Sequence, residues 1–138
     1  MIVLDTSFLY GLLDRRDRRY TEAAEWYGTV DDQLATTPLV LAEVDYLAAR
    51  AGRALRDAFR HDITTGAYLV GWWDAAVTTM TSVAQRYSDL GVSLADASLV
   101  ALAARLETTS IATFDERHFR AMQPLTGEPA FALLPADA

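Results

Sequence analysis

Four carboxylates stand where solvated surface acids do not usually occur. Asp5 ends the apolar run of MIVLDTSF and is followed by two hydroxyls. Asp115 ends the run SIATF in the same way. Glu43 lies within PLVLAEVDYLAAR, and its helical neighbours three and four residues away are Leu39, Val40, Tyr46 and Leu47. An ionised carboxylate in such an apolar stripe is costly unless it is paired, hydrogen-bonded or bound to metal. Asp45, two residues on, has Leu41, Ala42, Ala48 and Ala49 as neighbours, a smaller face with more access to water. Asp96 falls in VSLADASLV, three residues after Ser93, which is capping-box spacing. If these acids converge, they form an oxygen-rich site for a hard divalent cation. If they do not, Asp5, Asp96 and Asp115 are helix caps, and Glu43 pairs with an arginine or reaches the helix edge. Acids such as Asp14, Asp17, Asp31, Asp32, Glu107 and Asp137 lie in polar or terminal stretches and read as solvated surface.

The elements that must position these residues alternate along the chain. Residues 1–4 predict a short buried strand, and Ser7 is expected to cap a brief helix reaching Leu13. A helix containing EAAEWY ends near Gly28, and QLATT (33–37) predicts a strand. Thr37 and Pro38 form a helix start, a hydroxyl cap followed by proline in the first turn. That helix stops at Gly52, and another covers 53–64. A strand is expected over 67–72, a helix from Asp74 to Tyr87, and a further helix from Ser93 to about Glu107. SIATF (110–114) and FALL (131–134) predict strands flanking a short helix begun by DERHFRAM. This alternation argues for a three-layer α/β fold with a mainly parallel sheet. Ligands in such folds bind outside the carboxyl ends of the strands, where Asp5 and Asp115 are expected.

Composition narrows the chemistry. The 138 residues suit one domain spanning 1–138, and 51% hydrophobic content supplies a core. There is no cysteine, which removes disulfides, thiolate metal sites and cysteine nucleophiles. That fits a cytoplasmic location, as does the lack of a basic leader or a membrane-length apolar run. The net charge is −7, but the basic residues are 12 arginines and no lysine. Arginine is the better planar phosphate binder, so the placement of charge matters more than its sum.

Taken in order, IVLDTS, PLVLAEVDYL, LADASLVALA, IATFDERHF and the closing FALLP resemble the PIN-domain ribonucleases of the bacterial type II toxin group, the VapC-like toxins. The resemblance covers essentially the whole chain. It implies a PIN-like α/β/α fold with a central sheet of about five short strands. It also implies that Asp5, Glu43, Asp96 and Asp115 are the acidic positions of the site, with Asp5, Asp96 and Asp115 at the metal. Ser7 and Thr113 match the supporting polar positions. The implied reaction is Mg²⁺-dependent hydrolysis of RNA phosphodiesters by a metal-activated water, with Mn²⁺ able to substitute. A cognate VapB-like antitoxin, a homodimer and a transfer or ribosomal RNA substrate are also implied.

Several other residues have two readings. Arg15, Arg16, Arg18 and Arg19 follow the first helix and are expected to border the Asp5 pocket, or else form a solvated charged turn. Arg117 and Arg120 follow Asp115 and are further candidates for RNA contact. His118 either approaches the substrate or plays a surface or packing role; His61 is expected at the surface. Trp72 and Trp73 read as core or partner surface before base-stacking, and Tyr20, Trp26 and Tyr27 as core before interface. Two alternatives remain: an Asp-dependent small-molecule phosphatase on an α/β fold, and a non-catalytic PIN-like module that binds RNA or protein. Serine at position 7 breaks the paired-aspartate start of haloacid-dehalogenase-type phosphatases and counts against the first.

Overall fold

Short apolar runs without alternation are the signature of parallel strands covered on both faces. The computed structural model, which describes residues 1–138, forms five short parallel strands: β1 (Ile2–Leu4), β2 (Leu34–Thr36), β3 (Leu69–Val70), β4 (Ser110–Ala112) and β5 (Ala132–Leu134). All neighbouring pairs are parallel, in the order β3-β2-β1-β4-β5. β1 is central, with Val3 level with Ala35 on one side and Ile111 on the other. The chain leaves β1 towards β2 and later returns to its other side as β4. Its carboxyl end therefore lies at the crevice where strand order reverses.

Seven helices flank the sheet: α1 (Thr6–Leu13), α2 (Tyr20–Tyr27), α3 (Pro38–Ala51), α4 (Arg53–Thr64), α5 (Ala76–Arg86), α6 (Leu94–Arg105) and α7 (Glu116–Ala121). The result is the three-layer α/β/α arrangement. Helix α6 is the most deeply buried and lies against α5, α3 and β1. Helix α1 lies against α2 and α3. Phe8 of α1 is fully buried, with the Trp26 ring edge-on at 5.3 Å and the Phe114 ring at 5.7 Å. Phe114 thereby ties the exit of β4 to α1. No helix is long and apolar enough to cross a membrane.

Several element ends fall a residue or two inside the sequence expectation, and three departures have a structural cause or consequence. Ser7 does not cap α1: Asp5 is the N-cap residue, without a side-chain cap bond, and the helix begins at Thr6. The Ser7 hydroxyl has other partners, described below. The strand expected over 67–72 contracts to Leu69–Val70, both exposed at the sheet edge, where one flank has no partner. Gly71 then passes so near α6 that a Cβ would sit 2.5 Å from Leu102 Cδ1. The helix expected from Asp74 starts at Ala76.

Candidate active site

Asp5 leaves the carboxyl end of β1, and its N–H extends the ladder to Ala112 O at 3.0 Å. The residue is only 3% exposed. Ser7 Oγ and Thr113 Oγ1 each donate to Asp5 Oδ2 at 2.7 Å. Each hydroxyl in turn accepts a backbone N–H, Ser7 from Phe114 at 2.9 Å and Thr113 from Asp115 at 2.9 Å. A hydroxyl has one proton to give, so these four bonds orient both groups completely. The ends of β1 and β4 are locked together through them. Burial pushes the Asp5 carboxyl up to about 6, against the pull of the Ser7 and Thr113 hydrogen bonds, and the charge of Asp96 adds to the rise.

Asp96 is both a cap and a site acid. Its N–H donates to Ser93 Oγ at 3.0 Å, and its Oδ2 accepts from Ser93 N–H at 3.4 Å, closing the capping box. The same oxygen faces Asp115 and His118. Burial raises its pKa and the Ser93 N–H opposes that; Asp115 raises it further, His118 lowers it, and Glu43 raises it again. Asp115 follows β4 and sits at the N-cap of α7, accepting from His118 N–H at 3.4 Å. Its Oδ2 lies 3.0 Å from His118 Nδ1, and Asp96 Oδ2 lies 3.2 Å from that nitrogen.

Glu43 reaches the same neighbourhood from α3 but is exposed rather than buried. The inward face of α3 is Val40, Val44 and Ala48, one step around the helix. Thr6 Oγ1 donates to Glu43 Oε1 at 2.6 Å and fixes it beside Asp5. The apolar neighbours Leu47 and Tyr46 line an open groove of about 480 Å³ with Thr6, Ala42 and Glu43. Asp45 points elsewhere, in a two-pronged pair with Arg60 at 2.8 and 2.9 Å.

The arginines divide. Arg18 and Arg19 line a groove of about 380 Å³ that also holds Ser7, Tyr10 and Asp115, so they border the acids. Arg19 lies 5.0 Å over the Phe114 ring and pairs with Glu22 at 3.2 Å. Arg15 and Arg16 line a separate groove at the α3–α4 junction, where Arg16 approaches Asp14 and Ala51 O, each at 3.4 Å. Arg117 is exposed. Arg120 is held by Asp137 through two bonds of 2.7 Å and by Glu116 at 2.8 Å. Trp26 packs on Phe8, Tyr27 is exposed, and Trp73 lies under Arg105 at 5.4 Å while Trp72 is exposed. His61 is exposed on α4.

Two features escaped the sequence reading. Asp14, expected at the surface, is buried and accepts from Tyr10 Oη at 2.7 Å and Arg16 N–H at 3.0 Å, which lowers its pKa. Its position at the end of α1, one turn after a tyrosine, was the available signal. The imidazole of His118 stands between Asp96 and Asp115, and its Nε2 lies 3.1 Å from Leu90 O. Leu90 ends a 3₁₀ turn (Ser88–Leu90) that no sequence pattern announced.

A parallel α/β/α sandwich with carboxylates gathered at its strand switch point is the plan of a PIN domain. The sequence matches the PIN domain over residues 2–123, and the chain belongs to that family. It is 33% identical over 128 residues to Ribonuclease VapC26 of Mycobacterium tuberculosis, a match spanning 91% of this chain and 95% of that one. Among solved structures it resembles the Mycobacterium tuberculosis toxin VapC20, described as cleaving the sarcin-ricin loop, with a TM-score of 0.79 at 20% identity over 84% of this chain and 91% of that one. It also resembles FitAcB from Neisseria gonorrhoeae, with a TM-score of 0.62 at 17% identity over 86% and 91% of the two chains. The chain is thus a VapC-like PIN protein.

Proposed function

We propose that this chain, as one PIN domain, is a Mg²⁺-dependent endoribonuclease and the toxin of a type II toxin–antitoxin pair. The observation that carries the reading is the convergence of Asp5, Asp96, Asp115 and Glu43 on one crevice at the ends of β1 and β4. The donor set fits the family's metal: all four are hard oxygen donors, and their mutual repulsion favours a cation among them. Asp5, Asp96 and Asp115 are assigned to hold Mg²⁺, with Mn²⁺ able to replace it. When bound, the ion supplies an activated water and stabilises charge on the phosphate.

The remaining roles belong to the chain. Ser7 and Thr113 keep the Asp5 carboxylate aimed and ionised by donating to one of its oxygens. Thr6 occupies Oε1 of Glu43, leaving Oε2 to take a proton from the attacking water. Arg18 and Arg19 border the acids and are assigned to the RNA backbone, with Arg15, Arg16 and Arg117 further out. Arg120 contributes least, because its guanidinium is already occupied.

The likeness to Ribonuclease VapC26 supports RNA as substrate, with a transfer or ribosomal RNA the expected target. It also supports a VapB-like antitoxin as partner, a homodimer as the assembly, and the cytoplasm as the place of action. The test is cleavage of total RNA by the wild type and Asp5→Asn with defined Mg²⁺, with ends mapped by sequencing. Cleavage that needs Mg²⁺ and is lost in the variant is the expected result. Equal cleavage by both proteins would falsify the assignment.

A further inference from the structure

We propose that His118 is itself a metal ligand, binding through Nδ1 beside Asp96 and Asp115 and adding an imidazole to the carboxylates assigned above. The proposal rests on the metal-dependent reading above and departs from an all-acid site.

The tautomer is set by the backbone. Leu90 O lies 3.1 Å from Nε2, and a carbonyl can only accept. Nε2 therefore carries a proton, so the only ring nitrogen that can offer a lone pair to a cation is Nδ1. That atom is buried and makes no hydrogen bond, although Asp115 Oδ2 and Asp96 Oδ2 lie 3.0 and 3.2 Å away. A lone pair facing two carboxylates is repulsive alone and becomes favourable when a cation is shared among them.

The spacing suits such an ion. Ligand bonds of ~2.1 Å at right angles put adjacent donor atoms ~3.0 Å apart on an octahedral ion. The three donor atoms all lie within 4.8 Å of one another. Metal-binding imidazoles commonly donate their other N–H to a carbonyl, which fixes ring and tautomer, and Leu90 fills that place. The carbonyl is held in its turn by the 3₁₀ segment, which closes at Gly91 with φ 68°.

A nitrogen donor changes metal preference. Mg²⁺ favours oxygen and gains little from imidazole, whereas affinity rises from Mn²⁺ to Co²⁺ to Ni²⁺. The experiment is pulsed EPR on the Mn²⁺-loaded full-length protein, with natural-abundance and then ¹⁵N-labelled histidine. A ¹⁴N coupling to Mn²⁺ that becomes a ¹⁵N coupling on labelling is expected, and needs no variant. Calorimetry with His118→Ala should show Mn²⁺ and Co²⁺ binding weakened by ~10-fold or more, the scale of losing a metal-site partner, with Mg²⁺ changed far less. His118→Asp should bring the Mg²⁺ and Mn²⁺ affinities together. Mn²⁺ binding that Asp115→Asn abolishes but that shows no nitrogen coupling overturns the proposal and leaves the nuclease reading standing. Equal weakening of Mg²⁺ and Mn²⁺ in His118→Ala overturns it too. Failure of any divalent ion to bind removes both readings.

Discussion

Asp5→Asn should stabilise the metal-free protein while abolishing its activity. The Asp5 carboxyl is raised from the ordinary 3.8 to about 6, chiefly by burial. In the folded state it therefore binds its proton more tightly than in the unfolded chain, and stability falls as pH rises from about 4 to about 6. At ~1.4 kcal/mol per pH unit, ionised Asp5 destabilises the fold by about 3 kcal/mol above that window. The amide of asparagine is neutral, and its oxygen still accepts from Ser7 and Thr113. For a domain of this size about 3 kcal/mol corresponds to roughly 10 °C in Tm. Calorimetric melts in EDTA at pH 7.5 and pH 4 measure it. Asp5→Asn should melt higher than wild type at pH 7.5, and the gap should close by pH 4, where wild-type Asp5 is protonated. Added Mg²⁺ should raise the wild-type Tm and shift the variant less. A variant that melts at or below wild type at pH 7.5, or a gap independent of pH, refutes the reasoning that burial of this charge strains the empty site.

Three further outcomes follow from the same geometry. Thr113→Val removes a buried donor to Asp5 and the acceptor of the half-buried Asp115 N–H; with these partners lost, ~1–3 kcal/mol of stability should be lost in urea melts, and cleavage should fall with it. Arg18→Ala should lower the slope of log affinity against log salt for RNA, by up to ~0.7 for each phosphate the side chain neutralises on a single strand. Arg120→Ala should leave that slope unchanged, since Glu116 and Asp137 already occupy the guanidinium, and a filter-binding series on the two variants separates them.

Much of this molecule was legible in its sequence because local rules and global fold agree. The Thr37–Pro38 start and Gly52 stop bound α3 as expected, and the Ser93–Asp96 capping box opens α6. Apolar strands ending in Asp5 and before Asp115 pointed to the crevice itself. Where local signals were weakest, tertiary context decided. β3 shrank because an edge strand has one neighbour, and Ser7 was drawn from capping into the bond network of Asp5. Residue types and periodicity set which side chains could bind a cation. Only packing decided that Glu43 faces an open groove, that Asp14 is buried, and that His118 enters the acidic cluster. Glu43 is placed by Thr6, 37 residues away, and His118 by Leu90, 28 residues away, and no local pattern encodes pairings at such separations.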